Sequence, residues 1–214
     1  MTTLTEEIRE FTAGAYERLP AGYIDSFRNL IAQLIKDNFA SNAPKTGEVF
    51  PDFILRDDES KMIKASEHWH DKNLIVKFYR GGWCPYCNLE LAALEKYAQE
   101  FAAENAELFA IAPEKPTYQR ETKKVSSANF KFLWDENNAL AKQLGIAFVV
   151  DENVRSVYGK LNLDLDLVNG EWILPVPATF IVNNGIVRYR FLDADYMRRQ
   201  DPVDLLTAIR AVNH

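Results

Sequence analysis

Apolar residues recur every three or four positions through the first forty residues of the chain. Such spacing, with charged residues on the opposite face, predicts one helix around residues 4–17 and a second from about Ile24 to Phe39. Pro20 separates the two helices, and residues 41–44 break the pattern. We therefore predict an N-terminal helical extension over residues 1–44. We expect this extension to pack on the main domain, and a homodimer interface is the alternative.

From Thr46 onward, short apolar runs alternate with helical segments. The run at residues 74–79 is nearly continuous, which is typical of a strand buried on both faces. The strand–helix–strand order over residues 74–112 predicts a βαβ unit with parallel strands. No clear pattern marks residues 151–174. The other predicted strands cover residues 50–55, 62–65, 130–133, 178–182 and 186–191, and the other predicted helices cover 117–125 and 137–144.

Two turn signals complete the pattern near the C-terminus. Residues 183–185, Asn-Asn-Gly, predict a tight antiparallel hairpin. Asp201 and Pro202 are suited to the N-cap and first position of a last helix. The order βαβ, helix, antiparallel hairpin, helix is similar to that of a thioredoxin-like sheet. We therefore expect residues 45–214 to form an α/β domain of thioredoxin-like fold, with a central mixed sheet flanked by helices.

Composition narrows the class of protein. The chain has 214 residues, of which 47% are hydrophobic and 26% charged, as in an ordinary globular protein. Its net charge of −6 argues against binding nucleic acid or an acidic membrane surface. The sequence also lacks a long uncharged apolar stretch and a secretory signal pattern. We therefore expect a cytoplasmic protein without nucleic-acid or membrane partners, in a compartment that keeps thiols reduced.

Cys84 and Cys87 are the only cysteines of the chain. Cys84 follows a predicted strand and a glycine pair, and Pro85 is suited to the first position of the next helix. The field at a helix start is worth up to ~2 kcal/mol, which would lower the pKa of the Cys84 thiol from ~8.5 to about 7. We therefore predict that Cys84 is the nucleophile and that Cys87, one helical turn later, is a resolving cysteine.

Three other roles for the cysteines are less favoured. A structural disulfide is opposed by a reducing cytoplasm. A zinc site would need His68 and His70 as further ligands, because a second CxxC is missing. Inert core cysteines are at odds with the proline between them and the glycines before them. A redox pair remains the favoured interpretation, with no metal and no cofactor.

Pro177 directly precedes a predicted strand, at residues 178–182. In thioredoxin-like folds this position is a cis-proline whose loop faces the dithiol. We expect Pro177 to have that place beside the cysteines. The alternative is an ordinary proline at the entry of a strand.

Several motifs together resemble the peroxiredoxin-like branch of the AhpC/TSA (alkyl hydroperoxide reductase / thiol-specific antioxidant) family. They are GEVFPDF at residues 47–53, FYRGGWCPYCNLEL at 78–91, PATF at 177–180 and DYMRR at 195–199. The resemblance covers about residues 45–214. It implies reduction of hydrogen peroxide or organic hydroperoxides through a Cys84 sulfenate that Cys87 resolves, and recycling by thioredoxin or a similar dithiol donor.

The chain departs from that family at three positions. Peroxiredoxins place a threonine three residues before the reactive cysteine, a proline seven before it and an arginine ahead of the late strand. Here those positions hold Gly81, Lys77 and Pro177. The charge that develops on the peroxide must therefore be stabilised by other groups. Arg80, the Trp83 ring N–H and backbone N–H groups at the helix start are the candidates.

The motif CPYC leaves other functions open, because it is also the motif of glutaredoxins. A thiol–disulfide oxidoreductase would attack a protein or glutathione disulfide with Cys84. A non-enzymatic redox sensor is a further alternative. In each case we expect Tyr86 to affect access to the sulfurs, and we expect Arg198 and Arg199 to be solvated.

Overall fold

The elements of the chain follow the predicted alternation of strands and helices. The computed structural model describes residues 2–213, so positions 1 and 214 of the two predicted regions lie outside that range. In chain order the elements are α1 Leu4–Arg18, α2 Ala21–Lys36, β1 Ile54–Asp57, β2 Met62–Lys64, β3 Asn73–Phe78, α3 Pro85–Glu95, α4 Ala98–Ala103, β4 Ala106–Ala112, α5 Pro116–Ser126, β5 Lys131–Trp134, α6 Ala139–Gln143, β6 Ala147–Val149, α7 Glu152–Lys160, α8 Leu165–Val168, β7 Ile173–Pro175, β8 Ala178–Asn183, β9 Ile186–Leu192 and α9 Pro202–Asn213. Among these described helices, none is long and apolar enough to cross a membrane.

The main sheet of the described residues is mixed and has the strand order β2-β1-β5-β4-β3-β8-β9. β3, β4 and β5 are parallel, which confirms the predicted βαβ unit. β8 and β9 form the predicted antiparallel hairpin, and β8 pairs with β3. Every residue of the central strand β3 is buried, as its continuous apolar run predicts. The α/β, thioredoxin-like architecture is therefore confirmed, and β3 delivers the cysteine segment to its carboxyl end.

The predicted strand at residues 50–55 is wrong for its first four residues. β1 begins only at Ile54, and the Phe50 N–H instead donates to the Gly185 carbonyl at 2.8 Å. The side chain of Phe50 packs edge-on against Phe180, with the ring centroids 5.2 Å apart. The Phe50 N–H thus bonds to the turn between β8 and β9 and not to a neighbouring strand.

Two further elements differ from the pattern. Helix α6 starts at Ala139 because Asn137 and Asn138 are left-handed, with φ of 55° and 50°. The unassigned stretch 151–174 contains α7, α8 and part of β7, which pairs with β6 in a separate small sheet. β6 and β7 have three residues each, which is too few to show the alternation of apolar and polar residues that marks a strand.

The N-terminal helices pack on the main domain, as expected. α1 lies against α3, and α2 lies against α7. Leu4, Ile8 and Ile31 belong to the same buried cluster as the two cysteines. A homodimer interface and a domain boundary at residue 44 stay predictions.

Asp201 joins this helical pair to the last helix. Its Oδ1 accepts from the Val203 N–H at 3.1 Å, as an N-cap does, and its Oδ2 accepts from the Leu4 N–H at 2.9 Å. One carboxylate therefore satisfies free backbone donors at the start of both α9 and α1.

Replacing Asp201 with alanine should lower the free energy of unfolding by about 1–2 kcal/mol, because two helix starts lose an acceptor. Urea unfolding measures the change. Asp25→Ala is the matched control, since that carboxylate is 65% exposed and lies 4.0 Å from Arg28. We expect the control to lose less than about 0.5 kcal/mol. Equal losses in both variants would contradict the double capping role.

Candidate active site

The two cysteines lie at the junction between β3 and α3. Cys84 is the N-cap of α3, and Pro85 holds the first helical position, as predicted. The Cys84 carbonyl accepts from the Cys87 N–H at 3.0 Å, so both residues belong to the same first turn. Both are free thiols, and their exposed fractions are only 1% and 0%.

A glycine pair and a buried carboxylate fix the loop before Cys84. Gly81 has φ +142°, a conformation that side chains strongly disfavour. A Cβ on Gly82 would lie 1.9 Å from the Thr122 Oγ1, so only glycine lets α5 approach this closely. The Gly82 N–H donates to Glu114 Oε1 at 2.8 Å, while the Thr122 and Tyr79 hydroxyls donate to Oε2 at 2.8 and 3.2 Å. Glu114 therefore holds the loop to α5 and to the end of β3.

The inner sulfur, that of Cys87, is surrounded by hydrogen-bond donors. The Arg80 backbone N–H lies 3.4 Å from Cys87 Sγ, and Arg199 Nη2 lies 3.5 Å from it. The neighbouring Cys84 side chain also acts to lower the pKa of Cys87. For Cys84 Sγ, in contrast, the helix start supplies no capping hydrogen bond.

The charge of the pair is held on the inner sulfur. Burial raises the pKa of the Cys84 thiol well above its ordinary value, and the Cys87 sulfur raises it further. Burial also acts to raise the pKa of Cys87, but the Cys84 side chain and the charge of Arg199 outweigh it and lower that pKa to about 5. The prediction that the helix start makes Cys84 the acidic thiol is therefore wrong. Desolvation exceeds the helix field at Cys84, and the N–H donors converge on Cys87.

Cys84, which carries the outer sulfur, lines a cavity of about 360 Å³. Cys84 and its neighbours form one wall, and the N-terminal helices and the α7 region form the others. The lining residues are Phe11, Ala15, Tyr16, Leu19, Phe27, Arg80, Trp83, Cys84, Pro85, Tyr86, Tyr158, Leu161, Asn162, Leu163 and Tyr196. The cavity is thus aromatic and apolar, and Cys87 is not part of its surface.

Arg80 and Trp83 both line this cavity, and each has a buried nitrogen without a partner within residues 2–213. The Arg80 side chain is buried, bonds to the Tyr158 hydroxyl and lies 4.1 Å from the centroid of the Tyr196 ring. Arg80 Nε and Trp83 Nε1 are buried and have no hydrogen-bond partner among the described residues. The arginine is therefore not the exposed salt-bridge partner that a strand end would suggest. Within the part of the chain that the structure describes, both N–H groups are thus unpaired polar groups in the wall around Cys84.

Tyr86 connects the cysteine helix to the N-terminal extension. Its hydroxyl accepts from Thr12 Oγ1 at 3.3 Å, and its ring meets that of Phe11 edge-on with centroids 5.3 Å apart. Tyr86 therefore lies between α1 and the sulfurs, in the place expected of a residue that affects access.

Pro177 does not have the expected cis peptide bond. It directly precedes β8, whose first residue, Ala178, pairs with Phe78. No peptide bond within residues 2–213 is cis, so that part of the expectation is wrong. The place of Pro177 beside the cysteines stays a prediction. The Val176 N–H donates to the Ile146 carbonyl at 2.9 Å, so the preceding segment pairs with the small sheet.

A buried ion-pair chain below Cys87 was missed by sequence reasoning. Lys77 Nζ lies 2.6 Å from Glu90 Oε1, and Arg199 Nη1 pairs with Glu90 Oε2. Signals for two of these residues exist, because Lys77 interrupts a buried apolar strand and Glu90 follows Cys87 by three positions on one helix face. The expectation that Arg199 is solvated is wrong, since its side chain is 1% exposed.

The histidines of the zinc alternative have other surroundings. His68 Nδ1 lies 2.9 Å from Glu107 Oε2, a carboxylate that Lys72 and Lys131 also pair with. Within residues 2–213, no group of three His, Cys, Asp or Glu side chains is arranged to hold a metal ion.

Comparisons with known proteins agree with this architecture. The sequence model of the AhpC/TSA family matches residues 46–190. The putative chloroplastic peroxiredoxin Q of Oryza sativa subsp. indica is 27% identical over 100 residues, which are 47% of this chain and 46% of the relative. The chain thus aligns with about half the length of that relative. The putative peroxiredoxin bcp of Helicobacter pylori strain J99 is 26% identical over 139 residues, 65% of this chain and 81% of the relative.

Solved structures support the fold. Peroxidoxin BcpB from Mycobacterium tuberculosis superposes with a TM-score of 0.62 at 20% identity, covering 78% of this chain and 97% of the other. A peroxiredoxin-like protein from Aquifex aeolicus gives a TM-score of 0.64 at 12% identity, covering 81% and 90%. Helices α1 and α2 and residue Arg199 lie outside the stretch that the family model matches.

Replacing Gly82 with alanine should destabilise the protein by about 1–3 kcal/mol, because the new Cβ displaces Thr122 and disturbs the Glu114 hydrogen bonds. Thermal and urea unfolding measure the loss. Gly22→Ala is the control, since a Cβ there meets nothing within 4 Å. Gly22→Ala should not lower stability, because Gly22 lies in α2, where alanine is favoured over glycine by about 0.5–1 kcal/mol. A Gly82→Ala variant as stable as this control would show that the loop is not tightly held.

The reduced protein should carry one thiolate at neutral pH. The lowered pKa of Cys87, about 5, means that its thiolate absorbance appears as the pH rises through that value. The raised pKa of Cys84 means that a second thiolate appears only well above 9.0. Ultraviolet absorbance of the reduced protein against pH measures both steps, and the oxidised protein is the blank. Absence of any thiolate at neutral pH would contradict the assignment.

Proposed function

Since the chain belongs to the AhpC/TSA family, we propose that it is a thiol-dependent peroxidase that reduces hydrogen peroxide or organic hydroperoxides with Cys84 and Cys87. The observation that carries the proposal is the free thiol pair at a helix start, with Cys84 lining a cavity together with Arg80 and Trp83. The likeness of the sequence to putative peroxiredoxins supports it.

In the proposed reaction Cys84 attacks the outer oxygen of the hydroperoxide as a thiolate. The O–O bond breaks, its electron pair goes to the leaving oxygen, and that oxygen takes a proton and departs as an alcohol or water. Cys84 is left as a sulfenic acid. The Cys87 sulfur then attacks Cys84 Sγ, and the S–O bond breaks with release of water. One dithiol and one hydroperoxide thus give one disulfide, one alcohol and one water.

Arg80 and Trp83 are the proposed stabilisers of the charge on the leaving oxygen. Both line the cavity beside Cys84, and both have a buried N–H without a partner among residues 2–213. A preorganised donor of this kind is worth about 10²–10³ in rate in other enzymes. These donors replace the threonine and arginine that the family resemblance leads one to expect. Pro85 keeps the helix start in place, and Tyr86 controls access from the α1 side.

The burial of both sulfurs favours a small substrate. With exposed fractions of 1% and 0%, either sulfur meets a folded protein, whether a disulfide substrate or a reductant, only after the segments around it move. A small hydroperoxide needs less of this movement, so the protein-disulfide reductase is the less favoured alternative. Recycling requires two electrons from thioredoxin or a glutathione-type thiol. We place the protein in the cytoplasm, where such donors keep dithiols reduced.

Stopped-flow kinetics with hydrogen peroxide and cumene hydroperoxide test the proposal. The reduced protein should consume either peroxide far faster than a free thiolate and form a disulfide. Cys84→Ser should abolish the reaction, while Cys87→Ser should stop at a sulfenic acid that a dimedone-type probe traps. Wild-type rates no better than that of a free thiolate would exclude a peroxidase. Insulin and glutathione-disulfide reduction, measured in parallel, would then identify an oxidoreductase, and inactivity in all assays would favour the redox sensor.

A further inference from the structure

Three charged side chains that belong to different segments meet directly below the inner sulfur. Lys77 comes from β3, Glu90 from α3 and Arg199 from the segment before α9. Glu90 pairs with Lys77 through one carboxylate oxygen and with Arg199 through the other. All three side chains are only 1% exposed. Buried charges of this kind need full compensation, because water does not reach them.

The sum of these charges leaves one positive charge without a partner. When ionised, Lys77 and Arg199 contribute two positive charges and Glu90 one negative charge. Burial lowers the pKa of Lys77, and the adjacent Glu90 carboxylate opposes that lowering. A thiolate on Cys87, 3.5 Å from Arg199 Nη2, makes the buried group neutral. A protonated Cys87 would leave it charged.

The Arg199 guanidinium contacts Glu90 and Cys87 at the same time. Its Nη1 binds Glu90, its Nη2 faces Cys87 Sγ, and its Nε donates to the Tyr196 carbonyl at 2.7 Å. The planar guanidinium is therefore fixed on three sides, so its position relative to the sulfur is set by the fold. Arg80 adds a backbone N–H to the same sulfur at 3.4 Å.

Other titratable groups also face Cys87. Those that interact with it electrostatically, in addition to Arg199, are Lys77, Tyr79, Arg80, Cys84, Glu114 and Tyr158. Only Arg199 among the charged side chains donates a hydrogen bond to Cys87 Sγ within residues 2–213. Replacing it should therefore change the ionisation of this thiol most directly.

We propose that Arg199 is a positioning residue that keeps Cys87 as the thiolate that attacks the Cys84 sulfenic acid. This step rests on the proposed peroxidase function. The Cys87 sulfur forms the S–S bond with Cys84 Sγ, the S–O bond of the sulfenic acid breaks, and the hydroxide takes a proton from solvent and leaves as water. Because Arg199 Nη2 lies 3.5 Å from Cys87 Sγ, the attacking sulfur is already ionised when the sulfenic acid forms.

The ionisation of Cys87 alone tests the role of Arg199 without requiring turnover. In a Cys84→Ser background Cys87 is the only thiol, and the serine hydroxyl keeps a donor beside it. Adding Arg199→Met should raise the pH midpoint of thiolate absorbance by about one unit or more, because an opposite charge is lost. Arg198→Met is the matched control, since Arg198 is 70% exposed and pairs with Asp193. It should leave the midpoint unchanged.

A second variant covers the risk that Arg199→Met does not fold. Arg199→Gln combined with Glu90→Gln removes one charge of each sign, so no carboxylate is left buried without a cation. Its thiolate midpoint should also rise, and Arg199→Lys should restore part of the low value. Circular dichroism verifies folding of each variant. An unchanged midpoint in a folded variant that lacks Arg199 overturns the proposal.

Peroxide kinetics separate this proposal from the proposed function. In the wild-type dithiol background, Arg199→Met should shift the pH profile of disulfide formation after peroxide addition upward, while Arg198→Met should not. A fast reaction with an unshifted profile would overturn the role of Arg199 and leave the peroxidase intact. A wild-type protein that does not reduce peroxides, but whose Cys87 midpoint depends on Arg199, would overturn the peroxidase and leave the positioning of the thiolate intact.

Discussion

The carboxylate of Glu90 is the point on which the architecture around the thiols depends. It brings a lysine of the central strand and an arginine of the C-terminal segment against the cysteine helix, inside a region that water does not reach. Breaking a buried pair of this kind typically costs about 3–5 kcal/mol, because the remaining charge stays uncompensated. The strand, the helix and the C-terminal segment are therefore locked in one arrangement. Arg199, which pairs with Glu90, also lies 3.5 Å from the sulfur of Cys87. The charges that hold these segments together therefore also surround the thiol.

Local signals were sufficient to predict much of the fold, and long-range contacts explain what they missed. The run at residues 74–79, the proline after Cys84 and the Asn-Asn-Gly turn act over a few residues, and each gave the right element. The lowered pKa of Cys87 depends on the neighbouring Cys84 and also on Arg199, which is 112 positions from Cys87 in sequence. No spacing rule connects two such residues. The surroundings of Pro177 also depend on a long-range contact. The strand just before it, β7, pairs with β6.

The N-terminal helices are a second case in which the sequence pattern predicts an element but not its long-range contacts. Their periodicity predicted two amphipathic helices, but an apolar face does not specify what it covers. In the structure α1 packs beside Tyr86 and closes one side of the cavity at Cys84. A segment outside the stretch matched by the family model thus supplies part of the wall of this cavity. The size and polarity of the cavity are set in part by residues that the core fold does not contribute.

The contact between Gly82 and Thr122 has a consequence for how this sequence can vary. Position 82 has no room for a side chain while a threonine occupies position 122, and Thr122 also holds the carboxylate of Glu114. A larger residue at either position is therefore tolerated only when the other position or the course of α5 changes with it. Related chains that carry a side chain at position 82 should differ at position 122 as well, so the two sites should vary as a pair.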